Sequence, residues 1–222
     1  PALSLEHWLQ VGAEAAVFEV QDQQWRFSHD KLREELITLF TPQERQQHYQ
    51  QLAEAVEAVY PQDGKRAGIL LEYWHGANDQ AKELLYLLMV AQQQSDLGIN
   101  YQTTLQLLLR GLTIMQTHNV DKPQQITLHR LLGGIYFRLG DHANTQRYFE
   151  EVLRLSEAEN APLGRAQAYY GLARVAWRIG DLEQATQRLY DSLHWAYLSG
   201  QAQPIAYALN MLGVMNSEKA DY

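Results

Sequence analysis

From Leu132 onward the chain repeats at intervals of 40 residues. Leu132-Gly133, Leu172-Ala173 and Leu212-Gly213 open the register. Tyr136, Ala176 and Asn216 take the next shared place, followed by Gly140, Gly180 and Ala220 and then Asp141, Asp181 and Asp221. Further along, Phe149 corresponds to Leu189 and Leu153 to Leu193. Repetition on this scale restricts a chain to stacked arrays, because one unit cannot bury its apolar side without a neighbour. Apolar residues recur at helical spacing on both sides of each Gly-Asp, so the unit is a pair of helices. Small residues at 133, 173 and 213 admit close helix approach, and the large ones fill the gap between pairs.

The region from Lys65 to the repeats has the same texture. Helices are predicted over 65–76, 78–95, 101–118, 122–139, 141–158, 162–179, 181–199 and 203–218. Their breaks fall at Gly98, Pro123, Gly140-Asp141, Pro162, Gly180-Asp181 and Pro204. A weaker copy covers 78–118, with Ala91 and the helix from Tyr101 to Ile114, at a spacing nearer 41 or 42. The third copy stops at Asp221-Tyr222, where a second helix should begin. The chain is therefore expected to be a piece of a longer protein, with Leu209, Leu212 and Met215 keeping an exposed flank.

The first forty residues read differently. Leu3 to Val11 forms a short helix with Leu5, Trp8 and Leu9 as its apolar face. Val17 to Val20 and Gln24 to Phe27 carry β-formers around the polar turn Gln21-Asp22-Gln23, which predicts a hairpin. A helix then starts at Ser28 or His29, with Ser28 the better cap, and contains Leu32, Leu36, Ile37 and Phe40. Helix, hairpin and helix in that order suggest a small winged-helix-like unit. Thr41-Pro42-Gln43-Glu44 reads as a capping box with proline in the first helical position. That helix runs to Val59, with Leu52, Val56 and Val59 inward, and Pro61-Gln62-Asp63-Gly64 stops it. The expected architecture is mostly α: a winged-helix-like unit with its following helix over 1–60, a helical bridge and first degenerate repeat helix over 61–100, and an α-solenoid of repeats over 101–222, the last one truncated.

The repeat positions resemble the tetratricopeptide repeat, with a few residues inserted beyond its usual length of ~34. Leu132, Gly133, Tyr136, Gly140, Asp141, Phe149 and Leu153 carry the first match. Leu172, Ala173, Gly180, Asp181, Ala185, Leu189 and Leu193 carry the second. The chain departs from the pattern at Ala176, where an aromatic is preferred, and at Thr145, where alanine is. A second resemblance lies in the stretch QQWRFSHDKLREELITLFTPQERQQHYQQLAEAVEAV, through Phe27, Ser28, His29, Asp30, Leu32, Arg33, Glu34, Arg45, His48, Leu52, Ala53 and Ala55. It is similar to the region after the nucleotide-binding module of bacterial signal-transduction ATPases with numerous domains. These include LuxR-type regulators, maltose-type activators and kinase- or cyclase-linked relatives. Leu71-Glu72-Tyr73-Trp74 and Ala91 resemble the helices that bridge to repeats there. The resemblance spans 1–95 and implies a cytoplasmic signalling context.

Composition removes several chemistries. The chain has no cysteine, hence no thiolate nucleophile, disulfide or cysteine zinc site. No phosphate loop ending in Gly-Lys-Ser/Thr is present, and its eight histidines form neither HExxH nor an i, i+4 pair. No enzyme activity, metal or cofactor is expected of it. With 26 acidic against 18 basic residues the net charge is −8, and Leu3 to Val11 holds no Arg or Lys for phosphates or base edges. Nucleic acid is therefore not expected as a partner, and with no apolar run approaching ~18 residues neither is a membrane.

On the tetratricopeptide resemblance the first helix of each pair lines the inner surface. The candidate site then comprises Arg130, Phe137 and Arg138, followed by Tyr170, Arg174, Trp177 and Arg178, and by Tyr207 and Asn210. Arginine forks match carboxylates and phosphates, while Tyr and Trp supply broad contact area. Two uses stay open for these side chains. They bind a ligand in the groove, or some pair with acids of adjacent helices while Trp177 joins the core. The leading expectation is a non-enzymatic interaction and sensing segment of a larger signalling ATPase, with an acidic protein or peptide and other domains of the same parent as partners. The alternative is a small-molecule sensor, with Tyr170, Trp177 and Tyr207 stacking on a sugar or nucleotide-like ligand.

Overall fold

The computed structural model describes residues 4–21, 24–61 and 63–220. Leu3, the turn residues Asp22 and Gln23, Gln62 and the Asp221-Tyr222 end, all used in the expectations above, lie outside the described residues. Helix α1 (Leu5–Glu14), strands β1 (Phe18–Gln21) and β2 (Gln24–Phe27) and helix α2 (Asp30–Thr38) come first. The strands pair antiparallel, with Phe18 opposite Phe27 and Val20 opposite Trp25. Phe18 is the buried centre, 4.9 Å from both the Trp8 and Phe27 rings. The order helix, hairpin, helix fits the winged-helix-like unit.

Two details depart from expectation. His29, in extended conformation and without a side-chain cap bond, is the N-cap of α2 in place of Ser28. The apolar face of α1 is not buried: Leu5 is 70% and Trp8 51% exposed, because a two-stranded ribbon is too small to cover a helix.

Helix α3 (Pro42–Val59) starts as its sequence demands. The Thr41 hydroxyl accepts from the Glu44 N–H at 3.3 Å, and the Glu44 carboxylate accepts from the Thr41 N–H at 2.8 Å. Its inward face differs from the one expected. Ala53 is fully buried and Val56 half-buried, whereas Leu52 and Val59 are 47% and 66% exposed. The reason is the neighbour it packs on, α4 (Ala67–Gly76), reached through a 3-10 turn at Gly64–Arg66. Bulky Leu70 and Trp74 of α4 occupy the contact, so the small Ala53 faces them, flanked by Tyr49 and Val56.

Seven helices follow among the described residues: α5 (Gln80–Leu97), α6 (Tyr101–Thr117), α7 (Lys122–Arg138), α8 (His142–Ala158), α9 (Pro162–Arg178), α10 (Leu182–Ser199) and α11 (Ala202–Ala220). The first six form three successive pairs, and α11 packs against the last of them. Helices α5, α7, α9 and α11 touch one another in turn, and each second helix also packs against the next first helix. Leu84, Leu87, Leu108, Leu128, Leu132 and Ile135 make one continuous core. Phe149, Val152, Ala168 and Leu172 continue it, and Ala173, Ala176, Leu189, Met211 and Met215 close it against α11. Leu209 has the exposed flank expected of it, at 47%, but Met215 is only 3% exposed because it fills the gap against α9 and α10.

The recurring Gly-Asp has a divided role. Gly140 and Gly180 adopt φ of +81° and +86°, the left-handed conformation that ends α7 and α9. The next N–H, of Asp141 or Asp181, turns back to the carbonyl of Tyr136 or Ala176 at 3.0 and 2.9 Å. Each aspartate then starts the following helix, its carboxylate accepting from the N–H of Asn144 at 2.9 Å or Gln184 at 3.0 Å. Glycine closes one helix and aspartate opens the next, which is why the dipeptide repeats. A Cβ at Gly140 or Gly180 would meet no neighbour, so the cost of Gly140→Ala is conformational alone. We expect it to lower stability by about 1–2 kcal/mol in chemical denaturation.

Histidine 129 supplies a pH dependence. It is buried on α7 beside Tyr148, and its Nδ1 has no hydrogen-bond partner. Burial lowers its pKa; Glu151 opposes this, and Arg147 and Arg154 add to it. The unfolded chain therefore binds this proton first. Stability is retained above the unfolded value of about 6.5 and lost as pH falls through it toward the lowered folded value. The His129→Leu variant should show a shallower loss of melting temperature between pH 7.5 and 5.5 than the parent chain, a range chosen around that unfolded value of about 6.5.

Candidate interaction groove

The face shared by α7, α9 and α11 brings most of the expected site together. At its centre is the half-buried ring of Phe137, on the last turn of α7. The Arg174 guanidinium of α9 lies 3.6 Å from its centroid, and that of Arg178, one turn on, lies 5.8 Å away. Arg178 is also 5.6 Å from the half-buried Trp177 ring, and Arg174 is 5.7 Å from Tyr170. Tyr170 in turn stacks on Tyr207 of α11 at 5.8 Å and 24°. Arg138, exposed, lies 6.0 Å from the ring of Tyr101 at the start of α6.

Helical spacing explains the arrangement. Tyr170, Arg174 and Arg178 are four residues apart and project from one side of α9. Leu172, Ala173, Val175 and Ala176 occupy its buried side. Gly134, one turn before Arg138, carries no side chain, and a Cβ there would meet nothing. The surface beside the arginines is thus open at backbone level.

Among the described residues no carboxylate pairs with Arg138, Arg174 or Arg178. Burial lowers the pKa of Arg174; Tyr170 opposes this, while Arg138 and Arg178 lower it further. That pattern is the signature of like charges held near one another. The stacked aromatic rings offset part of the repulsion, since a guanidinium over a ring contributes about 0.5–2 kcal/mol.

Two expected members stand outside this cluster. Arg130 donates to Gln92 of α5 at 2.5 Å, and burial lowers its pKa against the opposing charge of Asp96. It therefore ties α7 to α5. Asn210 is exposed on α11, close to one turn beyond Tyr207. Tyr101, at the start of α6 and 6.0 Å from Arg138, was not among the expected site residues; it belongs to the weaker copy, whose register is harder to align.

Two carboxylate centres also went unread. Glu83, only 4% exposed, accepts from Arg110 Nε of α6 at 2.6 Å and lies 3.1 Å from His75 Nδ1 of α4. Glu57 accepts from Trp74 Nε1 at 3.1 Å, Lys82 Nζ at 3.0 Å and the Tyr86 hydroxyl at 2.7 Å. Burial alone would raise the Glu57 carboxyl, but the bonds from Tyr86, Lys82 and Trp74 outweigh it and hold the group below the usual carboxylate range. Burial and Glu57 together push the Tyr86 hydroxyl up to about 12. These centres link α3 through α6. Glu57→Gln removes the charge that holds Lys82, and we expect it to cost about 1–3 kcal/mol in urea unfolding.

Among the described residues no three of His, Asp and Glu form a group that could hold a metal ion. No helix among them is long and apolar enough to cross a membrane.

Residues 124–194 match the family model of the tetratricopeptide repeat. No curated protein matches the chain significantly. Among solved structures, the C-terminal tetratricopeptide-repeat domain of an FK506-binding protein of Plasmodium falciparum is 16% identical, with a TM-score of 0.46 over 65% of this chain and 95% of that one. BtubC from P. vanneervenii is 18% identical, with a TM-score of 0.49 over 82% of this chain and 68% of that one. Both likenesses are distant. The matched segment, about a third of the chain, coincides with the pairs α7/α8 and α9/α10 and their Gly-Asp turns.

Proposed function

We propose that the face of α7, α9 and α11 is a docking groove for an acidic protein or peptide, and that the chain is a non-enzymatic interaction segment. The observation that carries this reading is the gathering of Arg174 and Arg178 at the Phe137 ring, with Arg138 near enough to repel Arg174, and no carboxylate partner for the three among the described residues. Like charges held together on a protein of net charge −8 cost stability, and a ligand that neutralises them recovers it. Tyr170, Tyr207 and Trp177 supply rigid contact area beside the charges.

The resemblance to signalling ATPases adds a wider context. The segment belongs to a cytoplasmic regulator, and its winged-helix-like unit couples the repeats to an upstream nucleotide-binding module. The stacked pair Tyr170–Tyr207 favours a second reading, a sugar or nucleotide-like ligand lying against the rings. Saturable calorimetric binding of such a metabolite would support that version.

The test of the leading reading is co-purification of a partner with the full chain and with Arg138→Glu/Arg174→Glu/Arg178→Glu. The account predicts loss of the partner from the triple variant at unchanged helical content. Equal recovery from both would remove the groove assignment.

A further inference from the structure

The electrostatics of the groove narrow the kind of anion it takes. Two guanidiniums lie at one ring, Arg174 at 3.6 Å and Arg178 at 5.8 Å from Phe137, while Arg138, 6.0 Å from Tyr101, adds its repulsion to Arg174. A single carboxylate carries one charge and saturates one guanidinium fork, leaving the other two arginines repelling each other. Within the acidic partners of that reading, a compact anionic segment fits better than a broad acidic surface. The chain is itself acidic, with a net charge of −8, so such a surface would be repelled elsewhere once it approached within the screening length of about 8 Å. The favoured ligand is a compact group with more than one negative charge. A phosphate monoester carries about −1.5 to −2 at neutral pH and presents three strong acceptor oxygens.

The surroundings suit a phosphate carried on a peptide. Gly134 leaves open space beside the arginines, room for a main chain to pass close to α7. Tyr170 and Tyr207 form an aromatic wall on the α11 side, and Trp177 stands next to Arg178. We infer that Arg138, Arg174 and Arg178 form a receptor for a phosphorylated side chain of the docked peptide, so that phosphorylation of the partner controls its binding. This rests on the groove reading and specifies its ligand.

The test uses the full chain and three fluorescent peptide libraries with the same randomised flanks, centred on phosphoserine, serine or glutamate. Fluorescence anisotropy should show the phosphoserine library binding at least about tenfold more tightly than either of the others, as expected for charge-assisted bidentate contacts. Arg174→Met and Arg178→Met should each bring it toward the serine library. Arg154→Met, on α8 and paired with Glu151, should change nothing. Circular dichroism and melting temperature verify that each variant folds. Equal affinity for the phosphoserine and glutamate libraries would overturn the phosphate assignment. So would a phosphoserine preference that survives Arg174→Met, or an absence of binding to any library. The co-purification experiment judges the groove itself separately, because it requires no phosphate.

Discussion

Phe149→Ala is expected to destabilise the protein by about 3–5 kcal/mol, the cost of deleting a buried aromatic ring at a site unable to collapse. The ring is 5% exposed and packs against Val152, Ala168 and Leu172. It also rests on two glycines. A Cβ at Gly133 of α7 would lie 2.9 Å from it, and one at Gly171 of α9 would overlap it. Phe149 thus joins the α7/α8 pair to the next, and both glycines are small because the ring needs their space. Gly171→Ala should destabilise by about 1–3 kcal/mol through overpacking, less a gain of about 1 kcal/mol from helix propensity. In a Phe149→Ala background the clash is gone and only the propensity gain remains. The same Gly171→Ala change should then stabilise. Urea unfolding of the four proteins in this cycle measures the reversal, and a cost of Gly171→Ala that is the same in both backgrounds would contradict the packing account.

The second large effect separates binding from stability. Arg174 is half-buried, repelled by Arg138 and Arg178, and held by the Phe137 and Tyr170 rings. A structural arginine would cost stability when lost. Arg174→Met keeps the apolar stem over Phe137 and removes the repelling charge, so the free protein should melt within a few degrees of the parent or above it. Partner binding should nevertheless weaken by about 30-fold or more, taking about 2–5 kcal/mol as the cost of removing one member of a buried charge pair. Arg174→Glu should abolish measurable binding. Thermal melting beside calorimetric titration separates the two roles: a loss of stability in Arg174→Met with unchanged affinity would show that this arginine is scaffold.

These effects were legible in the sequence to different degrees. Repeat spacing located the helix pairs to within a residue or two at most ends, because glycine in a left-handed turn and aspartate at an N-cap are chemical requirements of the joint. The shared side of Tyr170, Arg174 and Arg178 was legible for a similar reason: residues four apart on one helix project together, whatever their neighbours. Contacts that depend on a distant partner were not. Glu83 looks like any solvated helix carboxylate until α6 brings Arg110 to it, 27 residues away. Arg130 looked like another groove cation, and only the packing of α7 on α5 turns it toward Gln92. The N-terminal helices were misread in their faces because the expectation assumed a core on the side with the largest residues. In α3 the neighbouring Trp74 and Leu70 leave room only for Ala53.

The most direct measurement places the partner on the surface itself. Benzoylphenylalanine at position 134 would project from the open face of α7, beside Arg138. The same probe in place of Gln187, exposed on α10, reports on a helix outside the α7, α9 and α11 face. Irradiation of the partner complex should yield a cross-linked species from position 134 and none from position 187, with the yield at 134 abolished by Arg138→Glu/Arg174→Glu/Arg178→Glu. Cross-linking from 187 alone, or from 134 undiminished by the charge reversal, would contradict the claim that the arginine face receives the partner.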